Sequence, residues 1–381
     1  MVFLLSSSNI FDYLCEQGLL NPSETHLSNF ELIEAKNFNL LVTLSDNSKL
    51  LVKQERYYRD GEAMGEFVGE WRIQSLISQF PQLAYLQTFL PEILHFDANN
   101  SILVLRYLED YQDLSNFYQK EKTFPPLIAS AIGTALGRIH RDTFQCQVYQ
   151  DFLLQQKNNL SEYQILNLIA ELERITPEIF GVVPADGLKF FALYQKYDSL
   201  GKSINELGQA FVPSCLTHND LKLNNILLHN NWSVSSEEII RFIDLERATW
   251  GDPAYDLGMI IASYLLMWLS SLIINKSLGI EESLRLAVIP LEKIQPSMAA
   301  LIQAYLTTFP HILEERPDFL ERTIQFAGFA LIQQIQAMIQ YQKVFGNMGI
   351  TLLQVAKKLL GYPRQSMATI LGTSEIYSSS G

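Results

Sequence analysis

The chain has 381 residues, of which 48% are hydrophobic and 18% charged, and its formal net charge is −13. This composition indicates a folded globular protein rather than a disordered one. The excess of carboxylates disfavours DNA and RNA as partners, because nucleic-acid phosphates would be repelled. The cysteines (Cys15, Cys146 and Cys215) show no metal-type pairing, and the N-terminus lacks the basic region of a signal peptide. These features predict a cytoplasmic protein.

The N-terminal part of the sequence predicts a small antiparallel sheet with one inserted helix. Two apolar runs within 30–44 indicate a hairpin, and Lys49–Gln54 indicates a third strand. Residues 62–80 have helical spacing, and 91–96 and 102–108 indicate two further strands.

Beyond this sheet the sequence becomes mostly helical, apart from a strand-rich stretch at 215–243. The predicted helices cover 127–140, 160–174, 188–207, 256–274, 281–289, 296–307, 319–345 and 350–360. The order of elements predicts an α+β fold that has a small antiparallel-sheet lobe and a large, mainly helical lobe.

Residues 257–274 contain no charged side chain, and their number just reaches the length of a membrane span. The segment also carries Ser263, Tyr264, Ser270 and Ser271. We therefore expect a buried core helix here and no membrane span.

Two polar segments, 216–225 (LTHNDLKLNN) and 243–257 (IDLERATWGDPAYDL), carry the groups that phosphoryl transfer needs. The reaction requires metal ions on oxygen ligands, a base near the attacking hydroxyl and cations on the phosphates. Asp220 is the candidate base. Asn225 and Asp244 are candidate Mg²⁺ ligands, because Mg²⁺ prefers amide and carboxylate oxygens. Lys222 either contacts the transferring phosphate as a catalytic group or is a solvated charge.

The joint pattern H-x-D-x-x-x-x-N, I-D-x-E and G-D-P-x-x-D-L resembles the aminoglycoside phosphotransferase and choline-kinase-like superfamily. The matching positions are His218, Asp220, Asn225, Asp244, Gly251, Asp252, Pro253, Asp256 and Leu257. The resemblance implies a bilobal protein-kinase-like fold and an ATP- and Mg²⁺-dependent kinase, with GTP as a possible alternative to ATP. It implies that Asp220 is the base, that Asn225 and Asp244 bind the metal, and that Asp252 and Asp256 tether nearby backbone.

The N-terminal sheet offers candidate nucleotide contacts. Lys53 ends an apolar strand, where kinases place the lysine that pairs with the α- and β-phosphates. Glu70 on the following helix is the expected ion-pair partner, with Glu66 one turn earlier as the alternative. Backbone groups from Arg106 to Leu108 are expected to contact the adenine.

The hairpin that would cover the phosphates departs from the usual pattern. Glycine there lets backbone N–H groups approach an anion, but residues 35–39 read Ala-Lys-Asn-Phe-Asn. Lys36 and Asn37 are candidates for contacting phosphate through their side chains instead.

The spacing after Asp244 bears on the acceptor. Gly251 follows within seven residues, without an A-P-E motif or room for a folded activation loop. This favours a small-molecule hydroxyl acceptor. Two alternatives stay open: a kinase acting on Ser or Thr of a peptide in natural-product modification, and a nucleotide-binding pseudokinase scaffold.

These expectations divide the chain into three parts. Residues 1–108 are predicted to form the nucleotide-binding lobe, and 109–363 the helical lobe with the catalytic loop and acceptor site. Residues 364–381 are predicted to form a flexible tail because they are rich in serine.

Overall fold

The computed structural model of the protein describes residues 3–33, 37–57, 65–155, 164–173, 185–234, 238–273 and 286–372. The chain forms two compact units. The first contains Met1–Asp113 and Asn225–Ala248, and the second contains Leu114–Asn224 and Thr249–Gly381. The segment Asn225–Ala248, which the boundary predicted at residue 108 would assign to the helical lobe, therefore belongs to the first unit.

The first unit is built on a five-stranded antiparallel sheet with the strand order β1-β2-β3-β5-β4. Its strands are β1 (Asn29–Ile33), β2 (Phe38–Thr43), β3 (Lys49–Gln54), β4 (Ile93–Asp97) and β5 (Ile102–Arg106). The predicted sheet is confirmed, as is the helix inserted between its third and fourth strands, α2 (Glu66–Gln79). A first helix, α1 (Ile10–Glu16), precedes the sheet.

The two faces of this sheet are covered by different helices. Leu50 and Val52 lie in the cluster that contains Ile10 and Leu14 of α1. Leu103 and Leu105 pack instead with Phe67 of α2. Side chains alternate between the faces of a strand, and Lys53 lies opposite Leu103 in the register. Lys53 therefore projects from the α2 face.

A smaller sheet explains why Asn225–Ala248 joins the first unit. Strand β6 (Tyr111–Asp113) pairs antiparallel with β8 (Ile226–His229), which pairs in turn with β9 (Ile240–Phe242). The chain then passes Asp244 and forms a short 3-10 helix, Leu245–Arg247.

The second unit is mainly helical, with one two-stranded ladder that joins β7 (Cys215–Thr217) to β10 (Thr249–Gly251). Its helices in the described ranges are α3 (Leu114–Glu121), α4 (Pro126–Thr143), α5 (Gln147–Gln155), α6 (Gln164–Glu173), α7 (Ala185–Tyr194), α8 (Asp198–Gln209), α9 (Pro253–Ser270), α10 (Leu291–Thr308), α11 (Ile312–Glu315), α12 (Phe319–Ala337), α13 (Asn347–Gly361) and α14 (Pro363–Leu371). A π-helical turn, Met338–Gln342, extends α12.

Glycines permit the closest helix contacts in this unit. A Cβ on Gly133 of α4 would collide with the carbonyl oxygen of Leu301 in α10. A Cβ on Gly258 of α9 would lie 2.7 Å from the carbonyl oxygen of Thr323 in α12. Only a residue without a side chain allows backbones to approach so closely.

The apolar segment at 257–274 lies largely within α9, which is buried from Pro253 through Leu265. This confirms the prediction of a core helix. Among the described residues, no helix is long and apolar enough to cross a membrane.

Two helix predictions and the prediction of a flexible tail need correction. The single helix predicted over 188–207 is two helices, α7 and α8, interrupted at 195–197. Helix α10 begins before Pro296, which lies inside it. The tail predicted from residue 364 instead starts with α14, because Met367, Ile370 and Leu371 recur at helical spacing and are buried. Residues 373–381 and most of the helix predicted at 281–289 lie outside the described residues.

Candidate active site

The loop that carries Asp220 leaves the ladder between β7 and β10. Thr217 ends β7, and its hydroxyl donates to the Thr249 carbonyl at 3.1 Å. Gly251 of β10 lies close to this hydroxyl, because a Cβ on Gly251 would collide with the Thr217 hydroxyl oxygen. Asn219 then takes a left-handed conformation with φ of 62°, which asparagine tolerates better than most residues. The chain thus turns sharply just before Asp220.

Asp256 on α9 holds this loop by its backbone. Its carboxylate accepts the N–H groups of His218 at 2.7 Å and Asn219 at 2.8 Å. His140 Nε2 lies 3.3 Å from the same carboxylate. Asp256 and His140 are fully buried, so solvent does not compete for these bonds. The predicted tethering role of Asp256 is confirmed.

Asp252 has a different structural role, at the start of α9. Its carboxylate accepts the N–H of Ala254 at 2.9 Å, which caps the helix, and the N–H of Val212 at 2.9 Å. Arg316 donates to it at 2.6 Å. Burial raises the pKa of the Asp252 carboxyl, and the Arg316 guanidinium opposes that rise. The predicted role of Asp252 is confirmed, whereas Arg316 lies outside every motif and was missed.

Asp220 itself forms an ion pair with Lys222. The Lys222 Nζ lies 2.6 Å from the Asp220 Oδ1, and the side chains are 42% and 17% exposed, respectively. Both groups keep access to solvent. Lys222 therefore contacts the candidate base directly.

In the first unit the structure brings Lys53 and Asp244 together. Lys53 Nζ lies 3.0 Å from Asp244 Oδ1. Burial acts to lower the pKa of Lys53, but the carboxylates of Glu70 and Asp244 outweigh it and raise that pKa above the ordinary value. Glu70 is itself buried. The charges of these two carboxylates therefore keep Lys53 positively charged.

Asn225 and Asp244 are linked through the backbone. The N–H of Ile243 donates to the Asn225 carbonyl at 3.0 Å, at the end of the β8–β9 pair. Asp244 follows at once in a left-handed conformation with φ of 58°. Its side chain is 43% exposed. The turn thus directs a carboxylate outward from the end of a strand.

The donor set fits Mg²⁺ bound together with a nucleotide. Mg²⁺ is usually held by one or two protein carboxylates and by substrate phosphates, rather than by an all-protein cage. Asp244 and Asn225 supply carboxylate and amide oxygens of this type. Within the described ranges, no group of three or more His, Cys, Asp or Glu could hold a metal ion by itself.

Two residues that the sequence analysis missed position Glu70. The Glu55 carboxylate, two residues after Lys53, accepts the N–H groups of Gly65 and Phe67 and so caps the start of α2. One turn on, Gly69 touches the segment after Asp244, since a Cβ there would collide with the Glu246 carbonyl. Neither contact belongs to a motif, although a carboxylate just after the lysine strand was visible in the sequence.

The predicted adenine contacts are only partly available. The Arg106 N–H donates to the Glu92 carbonyl at 3.0 Å, and the Tyr107 N–H donates to the Lys49 carbonyl at 2.9 Å. The Arg106 side chain pairs with Glu92 at 2.6 Å. The backbone at Leu108 stays the better candidate, because its carbonyl accepts only the Tyr111 N–H, at 3.2 Å, among the described residues.

The phosphate hairpin is described only in part. Asn37 lies just before β2, and its side-chain oxygen is buried with no hydrogen-bond partner among the described residues. Lys36 lies outside the described residues. The prediction that these side chains contact phosphate stays a prediction.

The chain is similar to known phosphotransferases and kinases. The family model APH, described as "Phosphotransferase enzyme family", matches residues 80–272. The solved structure of a Plasmodium vivax ethanolamine kinase is similar, with 18% identity, a TM-score of 0.55 and coverage of 92% of each chain. A glucosamine kinase has 13% identity and a TM-score of 0.52, covering 97% of this chain and 85% of its own. No curated protein matches the sequence. At these identities the two structures establish the kinase-like fold.

Proposed function

The chain belongs to the phosphotransferase enzyme family, and we propose that it transfers the terminal phosphate of ATP, with Mg²⁺, to a hydroxyl group of a small molecule. The observation that carries the proposal is the contact of Lys53 with Asp244 at 3.0 Å. The contact joins the lysine that would bind phosphate to the carboxylate that would bind Mg²⁺, and the two residues are 191 positions apart in the sequence.

In the first unit, Lys53 would pair with the nucleotide phosphates, and Glu70 would keep it charged and oriented. Asp244 and Asn225 would hold Mg²⁺, which neutralises the charge that develops on the transferring phosphate. Lys53 need not be recruited from solvent, because its contact with Asp244 already holds it in place. Such preorganised charge stabilises a transition state without reorganisation during the reaction. The backbone at Leu108 would contact the adenine.

In the second unit, Asp220 would orient the acceptor hydroxyl and accept its proton. Lys222, now paired with Asp220, can move to the transferred phosphate as the proton is taken up. The bonds from Asp256 to the backbone just before Asp220 fix where the carboxylate stands. A general base must lie within hydrogen-bond reach of the proton it removes, so this tether supports the assignment.

The proposal is tested by thermal-shift titration with ATP and GTP, each with and without Mg²⁺. A ligand that binds only the folded state raises the melting temperature. We expect a larger shift with Mg²⁺ and ATP together than with ATP alone, because Asp244 and Asn225 bind the nucleotide through the metal. The absence of a shift with either nucleotide would contradict the proposal.

A further inference from the structure

The second unit contains a cavity of about 550 Å³ beside the loop of Asp220. It is walled by α3, by Lys222 and the two residues that follow it, by the C-terminal half of α9 and by Gln334 of α12. Small-molecule sites commonly have volumes of about 300–1,000 Å³. The cavity therefore has the size and the position of a site for the acceptor, and the following inference rests on the proposed function.

The polar lining of the cavity is almost entirely uncharged. It offers hydroxyl and amide groups from Ser115, Gln119, Asn224, Ser270 and Gln334. None of its lining residues is a carboxylate in the part of the chain that the structure describes. Hydroxyl and amide groups can both donate and accept hydrogen bonds, so they match ligand hydroxyls in either role.

The single formal charge in the lining is already compensated. Lys222 lines the cavity, and its Nζ lies 2.6 Å from the Asp220 carboxylate. A ligand ammonium group that entered would meet this cation and no carboxylate of the lining. Removing an ammonium from water without an anionic partner is costly. The described lining thus disfavours amine-bearing acceptors.

Apolar groups complete the wall. Leu266, Met267 and Ile289 line the cavity together with the polar groups. Sugar and cyclitol rings present C–H faces as well as hydroxyls, and such faces pack on apolar side chains. Some polar groups are committed to the fold: the Ser271 hydroxyl bonds to Trp268 and Ile289. Among the described residues, no hydrogen bond engages the side chain of Ser270 or of Gln334.

From this lining we infer that the acceptor is a neutral polyhydroxylated compound of the sugar or cyclitol class, bound in this cavity, and not an amine-bearing one. Gln334 and Ser270 would hydrogen-bond its hydroxyls, and Leu266 and Met267 would contact its C–H face. In the transfer step the acceptor oxygen bonds to the terminal phosphorus of ATP, the bond to the bridging oxygen breaks to leave ADP, and Asp220 receives the hydroxyl proton.

The first test is ADP release with matched pairs of acceptors. Each neutral sugar or cyclitol of a panel is compared with its amino-deoxy counterpart, with choline, ethanolamine and a Ser/Thr peptide alongside. We expect the neutral member to have a kcat/KM higher by about tenfold or more. Equal or better use of the amine-bearing member, or of the peptide, would overturn the inference. So would turnover of no neutral compound while Mg²⁺-dependent ATP binding is intact. Failure of ATP binding itself would instead overturn the proposed function.

The second test introduces the missing carboxylate. Gln334→Glu is nearly isosteric, and we expect it to shift the kcat/KM ratio towards amine-bearing acceptors by about fivefold. Gln336→Glu is the matched control: it has the same charge change on the same helix, at a position outside the cavity lining, and should leave the ratio unchanged. Ser270→Asp repeats the test from α9 if Gln334→Glu fails to fold. An unchanged ratio in both cavity variants would show that the acceptor does not bind there.

Discussion

The Lys53–Asp244 and Lys222–Asp220 ion pairs are more exposed than the Arg316–Asp252 ion pair at the start of α9. Asp244 and Lys222 are 43% and 42% exposed and hold partners that are themselves partly exposed. Arg316 and Asp252 are 9% and 0% exposed. Both kinds of pair join a basic side chain to a carboxylate of the two motif segments, yet only the first kind is exposed enough to exchange its partner for a ligand.

This difference separates the ion pairs that we propose for chemistry from an ion pair that stabilises the fold. A partly exposed pair gains little net stability because water screens it. A buried pair leaves an uncompensated charge when one partner is removed, and that is strongly destabilising. Substitutions in the exposed pairs should therefore alter transfer and nucleotide binding, whereas substitution in the buried pair should alter stability.

The largest effect is expected for Asp220→Asn. Without the carboxylate, the acceptor hydroxyl has no base, and kcat should fall by about 10²- to 10⁴-fold. Nucleotide affinity should change by less than about twofold, because Asp220 acts on the acceptor. Acceptor-dependent ADP release measures the first quantity and calorimetric titration with Mg²⁺ and ATP measures the second.

Asp198→Asn is the control for this variant. Asp198 is an exposed carboxylate of the same unit, at the start of α8, and its loss should leave kcat unchanged. Undiminished turnover by Asp220→Asn would remove Asp220 from the role of base and place its pair with Lys222 among structural contacts.

The next largest effect is expected for Arg316→Met, which leaves the fully buried Asp252 carboxylate without its cation. The free energy of unfolding should fall by about 3–5 kcal/mol. Urea unfolding followed by circular dichroism measures it. Arg364→Met is the matched control, because Arg364 pairs with Glu321 at 2.7 Å but is 81% exposed. Its effect should stay below about 1 kcal/mol.

The loss of stability caused by Arg316→Met should depend on pH. Burial already raises the pKa of Asp252, and loss of Arg316 removes the group that opposes this rise. An acid whose pKa is higher in the folded chain makes folding less favourable as the pH rises above its unfolded value, which is about 3.9 for aspartate. The destabilisation by Arg316→Met should therefore be larger at pH of about 7.5 than at about 4.5. An equal loss at both values would mean that Asp252 does not carry the uncompensated charge.

A smaller effect, confined to the first unit, is expected for Lys53→Met. Loss of the cation should weaken binding of ATP with Mg²⁺ by about 10- to 100-fold, the range for a hydrogen bond between charged groups. Lys49→Met is a close control, because Lys49 lies on the same strand and pairs with Glu109 at 2.8 Å. Calorimetry should show unchanged affinity for it. If both variants bind ATP as the unsubstituted protein does, the Lys53–Asp244 pair is structural despite its exposure.

The sequence predicted the elements whose pattern is local. The strands of the first unit were recognisable from their apolar runs, and Lys53 was found because it ends one of them. The break between α7 and α8 was missed because residues 195–197 (Gln-Lys-Tyr) contain no glycine or proline to mark it. The helical spacing of apolar residues continues across such a break, so the two helices resemble a single one in the sequence.

The parts of the candidate site that the sequence did not reveal depend on contacts between distant segments. Arg316 meets Asp252 across 64 positions, and nothing in its surroundings distinguishes it from an exposed arginine. No sequence motif marks the residues that line the cavity, because serine, asparagine and glutamine are common on helices that line no site. The motif pattern therefore predicted the phosphotransferase, which the family match confirms, while the cavity proposed for the acceptor is formed by residues that only the fold brings together.

The smallest effect is expected when glycines inside two helices are replaced by alanine. The comparison of these two variants tests whether the position of α2 affects the Lys53–Asp244 pair. Gly69→Ala on α2 would push a methyl group into the Glu246 carbonyl, just after Asp244. Gly201→Ala on α8 meets nothing within 4 Å. Alanine is favoured over glycine in a helix by about 0.5–1 kcal/mol, so Gly201→Ala should raise the free energy of unfolding by up to that amount. Gly69→Ala should instead lower the free energy of unfolding by about 1–3 kcal/mol, the usual cost of overpacking.

Because α2 carries Glu70, Gly69→Ala should also weaken ATP binding, whereas Gly201→Ala should not. Urea unfolding and calorimetry on both variants measure these effects. A stabilised Gly69→Ala with normal ATP affinity would show that α2 can move away from Glu246 without disturbing Lys53 and Asp244.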